Sequence, residues 1–146
     1  MKLPGLLLAA LTFVACSSAT EPQPARRPPL VSPAATVEPR HARFQLTISN
    51  QSFPQPRALI AVTVDGRRLV AQEFDVEGQH NFVGFGFDLT PGRHELVATG
   101  PFGATRKESF ELPASGKRYG VLLYWNDGHE KPNFSWTFGP DQPAFA

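Results

Sequence analysis

From His41 onward, apolar and polar positions alternate with a period of two, the spacing that puts every second side chain on one face of a β-strand. Phe44, Leu46 and Ile48 alternate with Gln45, Thr47 and Ser49. Asn50 to Pro56 interrupts the pattern with two prolines, and Leu59 to Val64 resumes it with Ile60, Val62 and Val64 on one face. Asp65-Gly66 comes next, then a run from Arg67 to Phe74. An Asp-Gly pair between two such runs predicts a two-residue type I′ hairpin, whose central residues both need positive φ. Val83, Phe85, Phe87 and Leu89 share a face opposite Gly84, Gly86 and Asp88. The glycines leave that outer face nearly bare, which often marks close approach of another backbone or ring. Thr90-Pro91-Gly92 and Gly100-Pro101-Phe102-Gly103 are turn signals on either side of a strand that carries His94, Leu96 and Ala98 on one face. Thr105 to Leu112 presents Phe110 and Leu112. Arg118 to Trp125 is apolar on both sides, which predicts a central strand covered on both faces. Phe134, Trp136 and Phe138 then alternate with Ser135 and Thr137. No stretch sustains a helical period.

About seven or eight short strands, separated by turns at ~8–15-residue spacing, predict an all-β domain over residues 41–146, a small antiparallel β-sandwich. The stretch from Val64-Asp65-Gly66 to Phe87-Asp88-Leu89-Thr90-Pro91-Gly92-Arg93-His94-Glu95-Leu96 resembles immunoglobulin-like and fibronectin-type-III-like bacterial modules. The resemblance covers roughly residues 59–112. It implies a fold type and no activity, and the Cys and Trp framework of antibody domains is absent.

Upstream the composition changes. Residues 16–40 form a Pro-rich linker, with Pro22, Pro24, Pro28, Pro29, Pro33 and Pro39 among small residues. Such a segment buries too little surface to offset its ordering entropy, and its prolines stiffen it toward extended polyproline II. At ~3.1 Å per residue it reaches about 70 Å, enough to hold a domain clear of a surface. Ahead of it, Lys2 and the apolar run Leu6 to Val14 have the layout of a signal peptide, residues 1–15, too short to span a bilayer stably. Phe13-Val14-Ala15-Cys16 resembles the lipobox of bacterial lipoproteins, with Phe13 where Leu is commonest. The resemblance implies cleavage before Cys16, acylation of its thiol and a lipid-anchored protein of the bacterial cell envelope. Ser17 after the cysteine implies sorting to the outer membrane. Two or more acyl chains make such an anchor lasting, at ~0.8 kcal/mol per buried methylene. Ordinary cleavage at Ser17-Ser18-Ala19 is the alternative, and it would release a soluble, cysteine-free domain.

Charge and cysteine content narrow the chemistry. Loss of Lys2 with the leader removes one of 14 basic residues and leaves them equal to the 13 acidic ones, so nothing points to nucleic acid. Cys16 is the single cysteine, which excludes an intrachain disulfide and Cys-based zinc sites. His41, His80, His94 and His129 fall at no metal-ligand spacing, and no cofactor or metal is expected. His94 reads as a packed or surface histidine. Asp75, Glu77 and His80 flank a turn at Gly78, and Asn126-Asp127-Gly128-His129-Glu130 reads as a polar turn between strands. A hydrolase built on Asp127, His129 and Glu130 is the remote enzymatic alternative. No catalytic residue is assigned, since neither a nucleophile elbow nor a free cysteine is available. The aromatics stand above background: Phe82, Tyr124, Trp125, Phe134, Trp136 and, in the tail, Phe145. Flat rings on a rigid sandwich stack on sugars or anchor a protein partner, although core filling claims most rings of this kind. Tyr124, Trp125 and Trp136 are accordingly the candidate ligand-binding residues. The expectation is a non-enzymatic, membrane-tethered binding or structural module whose partner is an envelope protein or a glycan.

Overall fold

The computed structural model describes residues 36–38, 41–76 and 81–144. The leader, Cys16 and most of the linker lie outside them, as do Glu77, His80 and Phe145. The described residues form nine strands: β1 (Thr36–Val37), β2 (Phe44–Asn50), β3 (Arg57–Val64), β4 (Arg67–Asp75), β5 (Val83–Phe87), β6 (Gly92–Thr99), β7 (Thr105–Leu112), β8 (Arg118–Trp125) and β9 (Asn133–Gly139). Two sheets face each other, one in the order β1-β5-β2-β8-β9 and one in the order β4-β3-β6-β7. The all-β sandwich read from the sequence is the observed fold.

Each inward face is the apolar face of the period-two pattern. Phe44, Leu46 and Ile48 of β2, Ile60 and Val62 of β3, Leu96 of β6 and Leu122 of β8 are fully buried. Phe110 of β7 lies at the centre, with ring centroids 5.0 Å from Phe44 and 5.2 Å from Phe138. Asp65 (φ 51) and Gly66 (φ 74) both occupy the left-handed region, as the type I′ turn between β3 and β4 requires. A register shift at Val62/Thr63 bends that hairpin. The β6–β7 connection is a short 3-10 turn, Pro101–Gly103, which leaves Phe102 projecting into solvent.

Three features depart from the sequence-based expectations. β1 lies within the stretch assigned to the linker, yet Thr36 and Val37 pair with Phe87 and Gly86 of β5, so the sheet begins before His41. β8 is central in hydrogen bonding, but only its inner face, Gly120, Leu122 and Tyr124, is buried; Tyr119, Val121 and Leu123 on the outer face are half-exposed. Finally, the β2–β8 ladder is parallel, pairing Phe44 with Arg118 through to Asn50 with Tyr124, while every other described ladder is antiparallel. Period two assigns residues to faces and is silent on which strand lies alongside which.

Candidate functional site

The parallel pair fixes the location of the site. Adjacent strands that run in the same direction deliver their following loops to the same end of the sheet. The loop after β2 (residues 51–56) therefore meets the loop after β8 (residues 126–132). Gln51 N–H donates to the Tyr124 carbonyl at 2.8 Å, carrying the ladder one residue into the loops.

A buried polar network locks the two loops together. Asn50 Nδ2 donates to the Gln55 carbonyl (3.0 Å) and the Phe74 carbonyl (3.1 Å), and its Oδ1 accepts the Ser52 N–H (2.9 Å). Ser52 Oγ donates to the Asn126 carbonyl at 2.8 Å, and Tyr124 Oη donates to Gln55 Oε1 at 2.9 Å. Asn50 and Ser52 are almost wholly buried, and no buried side-chain N or O atom among the described residues lacks a partner. A satisfied network of this kind rigidifies its surroundings, because any shift leaves a desolvated polar group unpaired. Burial also pushes the Tyr124 phenol above its ordinary pKa of 10.0.

Above this floor lies a cleft of about 230 Å³. Phe53, Pro54 and Trp125 line it together with Asp127, Glu130 and Lys131. Phe53 is 70% exposed and Trp125 44% exposed, so both rings are open to a ligand. The second loop holds its own shape. Asn126 Oδ1 accepts the Gly128 N–H, and Asp127 Oδ1 accepts the N–H groups of His129 (2.9 Å) and Glu130 (3.0 Å). The Glu130 and His129 N–H donors hold the Asp127 carboxyl below its usual range. Two open rings beside carboxylates, an ammonium and the amides of Gln51 and Asn133 can stack on a flat ligand and hydrogen-bond its edges.

The candidate residues separate. Trp125 alone of the three ligand candidates is exposed. Tyr124 is fully buried against Phe134 (5.4 Å), because adjacent residues of a strand point to opposite faces. Trp136 points inward with Phe134 and packs on the core, stacked on Phe138 at 6.1 Å. Tyr124, Trp125 and Trp136 therefore share no surface. Of the acidic and histidine trio, Asp127 and Glu130 reach the cleft, whereas His129 does not line it. Among the described residues no group of three or more His, Cys, Asp or Glu is placed to hold a metal ion. Phe53 and Pro54 were missed because they sit in a loop; an aromatic residue outside any period-two run was the available signal.

At the opposite end, His94 is buried and its ring bridges two elements. Nε2 lies 2.8 Å from the Thr90 carbonyl and Nδ1 lies 2.6 Å from Asp65 Oδ2, while Asp65 Oδ1 accepts the Glu95 N–H at 2.9 Å. Both ring partners can only accept, so an imidazolium satisfies both contacts and a neutral ring only one. Burial works against that charge, but Asp65 and Thr90 outweigh it, and the His94 pKa lies above its ordinary 6.5. No protein-family model matches this chain, and no curated protein matches it either.

Proposed function

We propose that the chain is a non-enzymatic binding module of the bacterial cell envelope, tethered to a membrane through acylated Cys16, which takes its ligand in the cleft lined by Phe53 and Trp125. The observation that carries this reading is the pair of open rings over a hydrogen-bonded floor: a preorganised site loses little ordering entropy when it binds. The direction of the chain supports it as well. β1 and the start of β2 lie at the end of the sheet opposite the cleft, so a tether that leads into β1 leaves the cleft facing away from its anchor. A glycan is the favoured ligand class, since amides and carboxylates around an exposed Trp match the hydroxyl-rich edge and flat face of a sugar ring.

The anchor is tested by intact mass and palmitate labelling of wild type and Cys16→Ser in a bacterial host. Label that depends on Cys16, with loss of residues 1–15, is expected; an unlabelled protein starting near Thr20 refutes the anchor. The cleft is tested on a glycan array with wild type and Trp125→Ala. Binding lost in the variant supports the site, and binding indifferent to Trp125 removes it. An activity abolished by both Asp127→Ala and His129→Ala would revive the hydrolase alternative.

A further inference from the structure

The sandwich has open sheet edges, and they are not alike. β4 carries Arg67, Arg68, Glu73 and Asp75, and β7 carries Arg106, Lys107, Glu108 and Glu111. Charges of this kind stop edge strands from pairing with other chains. β1, at the far edge of the larger sheet, is only two residues long. β9, at its other edge, is seven residues without a single charge, Asn-Phe-Ser-Trp-Thr-Phe-Gly, bounded by Pro132 and Pro140. Arg106 from the facing sheet reaches the Phe134 carbonyl at 3.5 Å, the limit of a hydrogen bond, while its guanidinium is paired with Glu108. The core is also unfinished along this edge. Trp136 and Phe138 pack on the buried cluster yet remain partly exposed, unlike Phe134.

We propose that β9 pairs antiparallel with β9 of a second copy, about a two-fold axis through Trp136, joining the two larger sheets into one. In this register β9 is self-complementary. Antiparallel pairing about Trp136 sets Phe134 against Phe138, Ser135 against Thr137 and Asn133 against Gly139, so ring meets ring on the inner face and hydroxyl meets hydroxyl on the outer face. No charged side chain enters the β9 pairing at all, whereas β4 and β7 carry charges along their length that an edge-to-edge contact would have to desolvate. The pairing satisfies the free edge of β9 and covers the open sides of Trp136 and Phe138. Seven residues make a narrow interface, so the dimer is weak and concentration-dependent. The start of β9 adjoins the Trp125 cleft: Asn133 helps to line it, and the Trp125 indole N–H donates to Ser135 Oγ at 3.4 Å. Self-association measured without a ligand nevertheless tests this proposal alone.

The test uses the full chain with Cys16→Ser, so that no acyl group or second thiol intervenes, followed by sedimentation equilibrium over a wide concentration range. In this register residue 135 of one copy faces residue 137 of the other. Ser135→Lys/Thr137→Lys sets lysine against lysine twice, and self-association is expected to weaken ~tenfold or more. Ser135→Lys/Thr137→Glu sets lysine against glutamate twice and is expected to retain the dimer. Wild type that stays monomeric at every concentration, or a Lys/Lys variant that associates like wild type, overturns the proposal. Should the Lys/Lys variant fail to fold, single-cysteine chains decide the matter. A mixture of Ser135→Cys and Thr137→Cys is expected to form a disulfide-linked pair faster than either variant alone, and equal rates overturn the register.

Discussion

Replacing Asp65 by asparagine should reverse the sign of the pH dependence of stability near neutrality. In the wild type, His94 is held charged between the Asp65 carboxylate at 2.6 Å and the Thr90 carbonyl at 2.8 Å. Its folded pKa is raised above 6.5, so its contribution is fully present below that value and is lost as pH rises through the folded pKa. For Asp65, burial opposes ionisation, but the Glu95 N–H and His94 prevail and bring its pKa below 3.8. The Asp65 contribution is present above 3.8 and is lost as pH falls through the folded value. The pair therefore stabilises most between about 3.8 and 6.5.

The Asp65→Asn substitution keeps the backbone in place, since asparagine tolerates the φ of 51° and its amide oxygen can still accept the Glu95 N–H. The new amide nitrogen then donates to a neutral His94 Nδ1 while Nε2–H still donates to Thr90. Charging the ring now removes a hydrogen bond without supplying a counter-ion, so the variant is most stable at high pH. A charge-assisted hydrogen bond to a buried group contributes ~1.5–3 kcal/mol, and the half-exposure of Asp65 brings that to about 1–2 kcal/mol. For a domain of this size that is a melting-temperature difference of roughly 5–10 °C at about pH 5. Thermal unfolding by circular dichroism at about pH 5 and about pH 9, with the His94 ring followed by NMR titration, checks it. Parallel pH profiles for wild type and Asp65→Asn would refute the reasoning, because the charge on the ring would then owe nothing to Asp65.

Other outcomes follow from packing. A Cβ at position 120 would sit 2.5 Å from Trp136 Cη2 and 3.2 Å from Phe44 Cε2, so Gly120→Ala should cost ~1–3 kcal/mol in denaturant unfolding. Tyr124→Phe removes the hydrogen bond to Gln55 and should cost about 1 kcal/mol while leaving the strand faces unchanged in the far-ultraviolet spectrum. Trp125→Ala should change stability by no more than ~0.5 kcal/mol, whereas Trp136→Ala should cost about 3 kcal/mol. If the two tryptophans proved equally costly by chemical denaturation, the assignment of one to the surface and one to the core would fall.

The inward faces of β2 and β3 were legible in the sequence, and so was the Asp65-Gly66 turn, because all depend on neighbours within a few residues. Period alone left the inward face of β6 undecided and suggested two covered faces for β8, of which only one is buried. Phe44, Leu46 and Ile48 could be placed inward without any knowledge of the rest of the chain. What escaped were relations between distant residues. The contact between His94 and Asp65 spans 29 positions, and nothing local in either segment identifies the partner. The split among Tyr124, Trp125 and Trp136 was open to inference in part. Tyr124 and Trp125 are adjacent in one strand and must face apart, so the three could not form a single platform, and composition alone obscured that parity. Phe53 was hidden for a different reason: pattern analysis ranks residues by their place in a period, and a loop has none.

The parallel ladder links these observations. Had β8 run antiparallel to β2, the loop holding Phe53 would lie beside the start of β8 and Trp125 would be at the other end of the sheet. With the two strands parallel, one loop supplies Phe53 and Pro54, the other supplies Asp127 and Glu130, and Trp125 at the end of β8 lines the same cleft. The same geometry explains the buried Asn50. Two loops leaving side by side have no shared ladder to hold them, and their backbone groups need partners away from water. Asn50, Ser52 and Gln55 supply those partners from one loop, and Tyr124 and Asn126 answer from the other. The network that satisfies the backbone is therefore also what fixes the distance between the walls of the cleft, so the shape of the site is set by the hydrogen bonds beneath it more than by the residues a ligand would touch.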